Sequence, residues 1–123
     1  MERKIMIVDD EKEIRRATQE VLEKEGYSVK TAKTTEAAWK KLQQWKAELI
    51  LLDIMLPGDL EEFVKKVDQL GTVKVLYLSV VQEAEAERRG LLDLSDTILG
   101  YIEKPFSLAT LLSKVKNALE RER

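Results

Sequence analysis

Apolar residues in this chain fall into short blocks that stop abruptly on polar ones, and between the blocks they recur at helical spacing. Ile5-Met6-Ile7-Val8 is the first block and ends at Asp9-Asp10. Behind it Ile14, Ala17, Thr18, Val21 and Leu22 stand at i, i+3, i+4, i+7 and i+8, one face of a helix. Gly26 sits where such a helix needs a left-handed cap. Tyr27 to Ala32 reads as a second, more polar strand, and Ala38, Leu42 and Trp45 mark a second amphipathic helix. Leu49-Ile50-Leu51-Leu52 is continuously apolar, as a central strand covered on both faces must be. It ends at Asp53, with a Pro57-Gly58 turn soon after.

The same beat continues to the end of the chain. Leu60, Phe63, Val64 and Val67 predict a third helix, and Val73 to Leu78 a fourth strand ending at Ser79. Glu83 to Leu92 is expected to be a fourth helix. Residues 98–103 read as a fifth strand ending at Lys104-Pro105. Leu108, Leu111, Leu112, Val115 and Leu119 are the periodic face of a last helix, with Ser107 as its N-cap. Five βα units in succession predict an α/β fold, a parallel sheet with helices on both faces. No linker, low-complexity tract or repeat interrupts the alternation, so residues 1–123 read as one domain.

Composition narrows the function more than the fold. Lysine and arginine number 21 against 23 aspartates and glutamates, a net charge of −2 with the signs interleaved. That balance argues against general binding of nucleic acid or anionic membrane, while leaving room for a small basic patch. The absence of cysteine and histidine removes disulfides, thiolate and imidazole metal sites, cysteine nucleophiles and the commonest general base. The longest apolar run is Leu49 to Leu52, and the first residues lack the apolar stretch of a signal peptide, so a cytoplasmic location without membrane insertion is expected.

In an open α/β sheet, ligands bind beyond the carboxyl ends of the strands, where the strand order reverses. The five strand ends here offer Asp9 and Asp10, then Lys33 and Thr34, then Asp53, Ser79 and Lys104. If the order is 2-1-3-4-5, the first and third strands are neighbours and three carboxylates converge, with a hydroxyl and an ammonium beside them. Two carboxylates about 4 Å apart repel by roughly 4 kcal/mol at an effective dielectric near 20, so three require a cation. All-oxygen ligands of this kind suit Mg²⁺. A divalent cation, a lysine, a hydroxyl donor and a carboxylate nucleophile together make a phosphoryl-transfer site.

The segments Val8-Asp9-Asp10-Glu11, Leu51 to Gly58, Leu78-Ser79 and Tyr101 to Phe106 carry a resemblance that spans the chain. It resembles the receiver domain of two-component response regulators. The resemblance implies a flavodoxin-like (βα)5 doubly wound parallel sheet of order 2-1-3-4-5, and a function in a histidine-to-aspartate phosphorelay. By the same resemblance Asp53 is the phosphoacceptor, attacking the phosphohistidine of a sensor histidine kinase or a phosphotransfer protein. Asp10, Asp53 and the backbone carbonyl of Met55 would bind Mg²⁺, with Asp9 acting mainly through a metal-bound water. Lys104 would pair with a phosphoryl oxygen, and its bond to Pro105 would be cis. Ser79 would swing toward the phosphoryl group with Tyr101 turning inward behind it, remodelling the face of helix four, strand five and helix five that a downstream protein reads. Such a domain is no enzyme toward other substrates, catalysing only its own phosphorylation and dephosphorylation. With no output domain in the chain, the expectation is a stand-alone regulator, with a homodimer among its possible forms and no direct contact with nucleic acid.

Taken singly, each residue has a duller explanation. Asp10 with Glu13 makes a capping box for the first helix. Asp53 and Ser79 end strands, Lys104 is one solvated lysine among many, and Tyr101 is core. Trp39 and Trp45 are assigned to packing or surface on helix two. These readings fail together, because they leave unexplained why the unusual residues cluster on the four strands flanking the site. The chain also departs from the family's pattern. The loop after Gly58 is shorter and lacks a second glycine, the span from Ser79 to Lys104 is longer, and Leu99-Gly100 replaces a pair of aspartates. Val80 replaces a small residue beside the phosphoryl site, which predicts slow phosphotransfer. Met55 and Val81, at the positions that orient a hydrolytic water in the family, are apolar, which predicts a long-lived aspartyl phosphate. The main rival function is a pseudo-receiver that keeps the fold as a phosphorylation-independent interaction module. An aspartate-nucleophile phosphatase would need a second aspartate where Met55 stands, and no Gly-rich nucleotide fingerprint is present.

Overall fold

Residues 2–121 are described in the computed structural model of the chain. The strands are β1 (Lys4–Val8), β2 (Ser28–Ala32), β3 (Leu49–Asp53), β4 (Lys74–Ser79) and β5 (Ile98–Glu103). They alternate with helices α1 (Lys12–Lys24), α2 (Thr35–Leu42), α3 (Leu60–Leu70), α4 (Glu83–Arg88) and α5 (Leu108–Glu120). All strands are parallel, in the order β2-β1-β3-β4-β5. The expected doubly wound sheet is therefore the observed one.

Strand side chains alternate between the two faces of a sheet, and the core follows that period of two. Met6, Val8, Ile50, Leu52, Val75, Tyr77 and Tyr101 pack with α2, α3 and α4 through Ala38, Leu42, Phe63, Val64, Val67 and Ala86. Ile5, Ile7, Leu49, Leu51, Leu76, Leu78 and Ile102 pack against α1 and α5 through Leu22, Leu111, Val115, Ala118 and Leu119. With both faces covered, β3 is buried along its whole length, as its unbroken apolar sequence requires. Register then brings the strand ends level: Val8 lies beside Leu52, and Asp53 beside Leu78.

The caps decide where each helix begins. Ser107 accepts from the Thr110 N–H at 3.0 Å, as expected, and Gly26 takes the left-handed conformation after α1 (φ 95°). The capping box of Asp10 and Glu13 does not form. Helix α1 begins a residue later, with Glu11 at the N-cap and no side-chain cap bond. Asp9 Oδ1 instead accepts the Glu11 N–H at 2.9 Å, which leaves Asp10 outside the helix. The fourth helix is also shorter than expected. It stops at Arg88 because Gly90 turns left-handed (φ 75°), and Leu91–Asp93 form a separate 3-10 turn. Trp39 lies on α2, but Trp45 lies beyond its end, half-buried with the ammonium groups of Lys4 and Lys30 over its ring at 5.7 and 5.6 Å.

Candidate functional site

The ends of β1 and β3 bring Asp9, Asp10 and Asp53 together, each offering a carboxylate oxygen within 4.8 Å of the others. Asp9 is fully buried and Asp53 is 4% exposed, while Asp10 faces solvent. Local turns aim the buried pair. The Glu11 N–H donates to Asp9 Oδ1, and the Met55 N–H donates to Asp53 Oδ1 at 2.8 Å. These two-residue turns hold each carboxylate against its own backbone, a habit of aspartate at strand ends.

Lys104 reaches this cluster from the end of β5. Its Nζ lies 2.7 Å from Asp9 Oδ2, 2.7 Å from Glu11 Oε1 and 3.3 Å from Asp53 Oδ2. Burial alone would depress this ammonium, but the carboxylates of Asp9, Glu11 and Asp53 outweigh it and hold it above the ordinary lysine range. The backbone supports the placement, with the Lys104 N–H donating to the Ser79 carbonyl at 2.8 Å and a cis bond leading to Pro105.

One ammonium does not satisfy the cluster. Asp9 Oδ2 is buried with no aligned hydrogen bond, although Lys104 lies beside it as an ion. The Asp53 carboxyl is pushed above the usual aspartate range, first by burial and further by Asp9, with the Met55 N–H and Lys104 opposing. A buried carboxylate oxygen that shares one ammonium with two other carboxylates, an all-oxygen donor set and residual negative charge fit a small divalent cation.

A stability consequence follows, with its sign set by the raised Asp53. An acid raised on folding favours its protonated form in the native state. That contribution is present below the unfolded aspartate value and is lost as pH rises through the folded one. Ionised Asp53 therefore costs stability at neutral pH in metal-free buffer, and Asp53→Asn is expected to raise the melting temperature there by about 3 °C. The gap should close toward pH 4, and saturating Mg²⁺ should narrow it by stabilising wild type. Thermal unfolding with chelator and with Mg²⁺ checks this; a variant less stable than wild type at pH 7 in chelator would contradict it.

The remaining expected residues stand around the cluster. Ser79 is fully buried, its Oγ accepting the Val81 N–H at 3.1 Å. Tyr101 points inward, 1% exposed, and its hydroxyl donates to the Val81 carbonyl at 2.6 Å. Its ring meets Tyr77 edge-on at 6.2 Å, and the Tyr77 hydroxyl donates to the Leu91 carbonyl at 2.8 Å. The segment between β4 and the 3-10 turn is thus held from β5 and β4. Val80, next to Ser79, and Met55, whose N–H binds Asp53, are 61% and 57% exposed at this end of the sheet.

Two contacts were not anticipated from sequence. Glu11 is a direct partner of Lys104; the signal was a third acidic residue directly after the pair that ends β1. Glu103 accepts the Glu83 N–H at 2.9 Å, replacing the cap that Gln82 does not supply to α4.

Comparison with known proteins agrees with this geometry. The chain is 36% identical over 122 residues to the alkaline phosphatase synthesis transcriptional regulatory protein PhoP of Bacillus subtilis, covering 98% of this chain and 50% of that protein. It is 35% identical over 118 residues to the KDP operon transcriptional regulatory protein KdpE of Escherichia coli, covering 95% of this chain and 51% of that one. The chain thus spans about half the length of these relatives. Among solved structures, a two-component response regulator from Clostridium difficile superposes with a TM-score of 0.86 at 30% identity, covering 98% of both chains. Residues 5–116 match the family described as the response regulator receiver domain, and the chain belongs to that family of two-component receivers.

Proposed function

We propose that the chain is a working phosphoacceptor in a histidine-to-aspartate phosphorelay. The observation that carries this reading is the buried Asp53 carboxylate in contact with Lys104 and beside Asp9 and Asp10. A carboxylate oxygen of Asp53 attacks the phosphorus of a phosphohistidine on a sensor kinase or phosphotransfer protein. The P–N bond breaks, its electron pair stays with the imidazole, and an aspartyl phosphate forms. Asp10, Asp53 and the Met55 carbonyl would hold Mg²⁺, with Asp9 acting through a bound water. When bound, the ion supplies positive charge beside the phosphoryl oxygens. Lys104 transfers its contacts from Asp53 to a phosphoryl oxygen, and Ser79 hydrogen-bonds to another.

The switch runs through residues already in contact. Ser79 Oγ and the Tyr101 hydroxyl hold the N–H and the carbonyl of the same residue, Val81. Drawing Ser79 toward a phosphoryl group releases the Val81 N–H, loosening the segment that leads into α4. A downstream protein would read that change on the face of α4, β5 and α5, and a second copy of the chain is a further candidate partner. The reaction is confined to the chain's own phosphorylation and dephosphorylation, without direct nucleic-acid contact. A phosphorelay of this kind would place the protein in the cytoplasm. Among the described residues no helix is long and apolar enough to cross a membrane.

Mg²⁺ titration by calorimetry tests this against the pseudo-receiver. Wild type is expected to bind saturably and Asp10→Asn to weaken binding by roughly tenfold or more. No saturable binding by wild type would favour the phosphorylation-independent reading.

Val80 gives a kinetic prediction. Its exposed branched side chain follows the switch serine at this end of the sheet, so Val80→Ala should speed phosphorylation by acetyl phosphate roughly threefold. An unchanged rate would remove Val80 as an access barrier.

A further inference from the structure

Away from the acidic cluster, a concavity of about 390 Å³ opens beside the carboxyl end of β2. Arg15, Lys33 and Lys41 line it, together with Thr31 and Thr34. Arg15 Nη1 donates to the Asp9 carbonyl at 2.9 Å, and the Lys41 ammonium donates to the Thr31 carbonyl. Neutral carbonyls orient these side chains without cancelling their charge. Among the described residues, none of the three cations has a carboxylate within ion-pair distance. What sets the three apart is their convergence on one concavity whose lining includes no acidic residue.

The placement is built into the fold. β2 is the edge strand, and the Asp9 N–H takes the Ala32 carbonyl at 3.1 Å, so the Thr31 carbonyl points away from β1 at the open edge. Lys41 covers that carbonyl from α2 and Arg15 reaches over from α1, so the two heads flank the segment that carries Lys33. The hydroxyl of Thr34 accepts the Ala37 N–H at 3.0 Å and keeps its own proton for donation.

We propose that this pocket is a binding site for a phosphate group. Three cations approaching from separate elements, with hydroxyl donors between them, match a multiply charged tetrahedral oxyanion better than a single planar carboxylate. A concavity lined by one sign of charge also concentrates such an ion locally. The site is separate from Asp53 and stands or falls without the phosphorelay reading. The acidic cluster repels free phosphate in metal-free buffer, so the two sites are distinguishable.

The test is an ¹⁵N-labelled titration of the full chain in metal-free buffer at constant ionic strength, with inorganic phosphate, glycerol 3-phosphate, acetate and chloride in separate arms. The expected result is saturable shifts at the amides of Lys33, Thr34 and Lys41 with the two phosphate compounds. Lys33→Gln and Lys41→Gln should each weaken binding roughly threefold or more, Arg15→Gln likewise, and Arg15→Lys should retain most of it. Tighter binding of glycerol 3-phosphate identifies a phosphoester ligand, and tighter binding of inorganic phosphate identifies the free ion. Shifts of equal size and midpoint with acetate or chloride would overturn the proposal, as would linear, unsaturated shifts. A glutamate-rich peptide that binds more tightly than either phosphate compound would overturn it in favour of docking by an acidic protein segment. Unaltered amide spectra away from the pocket show that each variant is folded.

Discussion

Lys104→Met is expected to lose about a hundredfold in the rate of phosphorylation by acetyl phosphate, while still binding Mg²⁺. Methionine keeps much of the apolar stem and removes the charge, so the change isolates the ammonium. In the resting protein that ammonium touches Asp9, Glu11 and Asp53 at once, from a side chain only 6% exposed. Its removal leaves two buried carboxylates unpaired, and metal-free stability should fall by about 3 kcal/mol. The same loss should make Mg²⁺ bind more tightly, because the ion no longer competes with an internal cation. Slower phosphorylation despite tighter Mg²⁺ binding separates a phosphoryl-contacting lysine from a merely structural one. Urea unfolding with chelator, Mg²⁺ calorimetry and acetyl phosphate kinetics read the three quantities. An unchanged phosphorylation rate would reduce Lys104 to an ion-pair partner, and weaker Mg²⁺ binding would contradict the electrostatic account.

The aspartyl phosphate, once formed, is expected to last for minutes or longer in the isolated chain. Hydrolysis needs a water held in line with the phosphorus, and a polar side chain at this end of the sheet is what would hold it. Met55 is exposed there with a thioether, and Val81 is half-buried with an aliphatic side chain. The Val81 backbone is engaged as well, its carbonyl with Tyr101 and its N–H with Ser79. Met55→Asn supplies an amide that can orient water and should shorten the lifetime about tenfold. Phosphate release after removal of the donor measures it. A wild-type half-life of seconds, or no response to Met55→Asn, would contradict the argument.

The fold was legible because the apolar pattern of each strand is dictated by its coverage. β3, packed on both faces, must be apolar throughout, and β2, at the edge, need not be. The site was legible because Asp9, Asp10, Asp53, Ser79 and Lys104 all stand at or just beyond strand ends, which the parallel register brings level. What escaped depends on choices between local partners. Asp10 and Glu13 have the spacing of a capping box, but Asp9 takes the Glu11 amide and shifts the start of α1. The Glu83 to Leu92 stretch holds helix-forming residues on both sides of Gly90, and only the backbone conformation of that glycine divides them. Glu11 is more than half exposed, and its pairing with Lys104 depends on a distance across 93 residues of sequence that no local pattern encodes.

The central claim is that Asp53 is a Mg²⁺-dependent phosphoacceptor, and intact mass after incubation with acetyl phosphate tests it most directly. Wild type with Mg²⁺ is expected to gain the mass of one phosphoryl group, and neither Asp53→Asn nor wild type in chelator should gain it. No adduct on wild type, or an adduct that survives Asp53→Asn, would contradict the account.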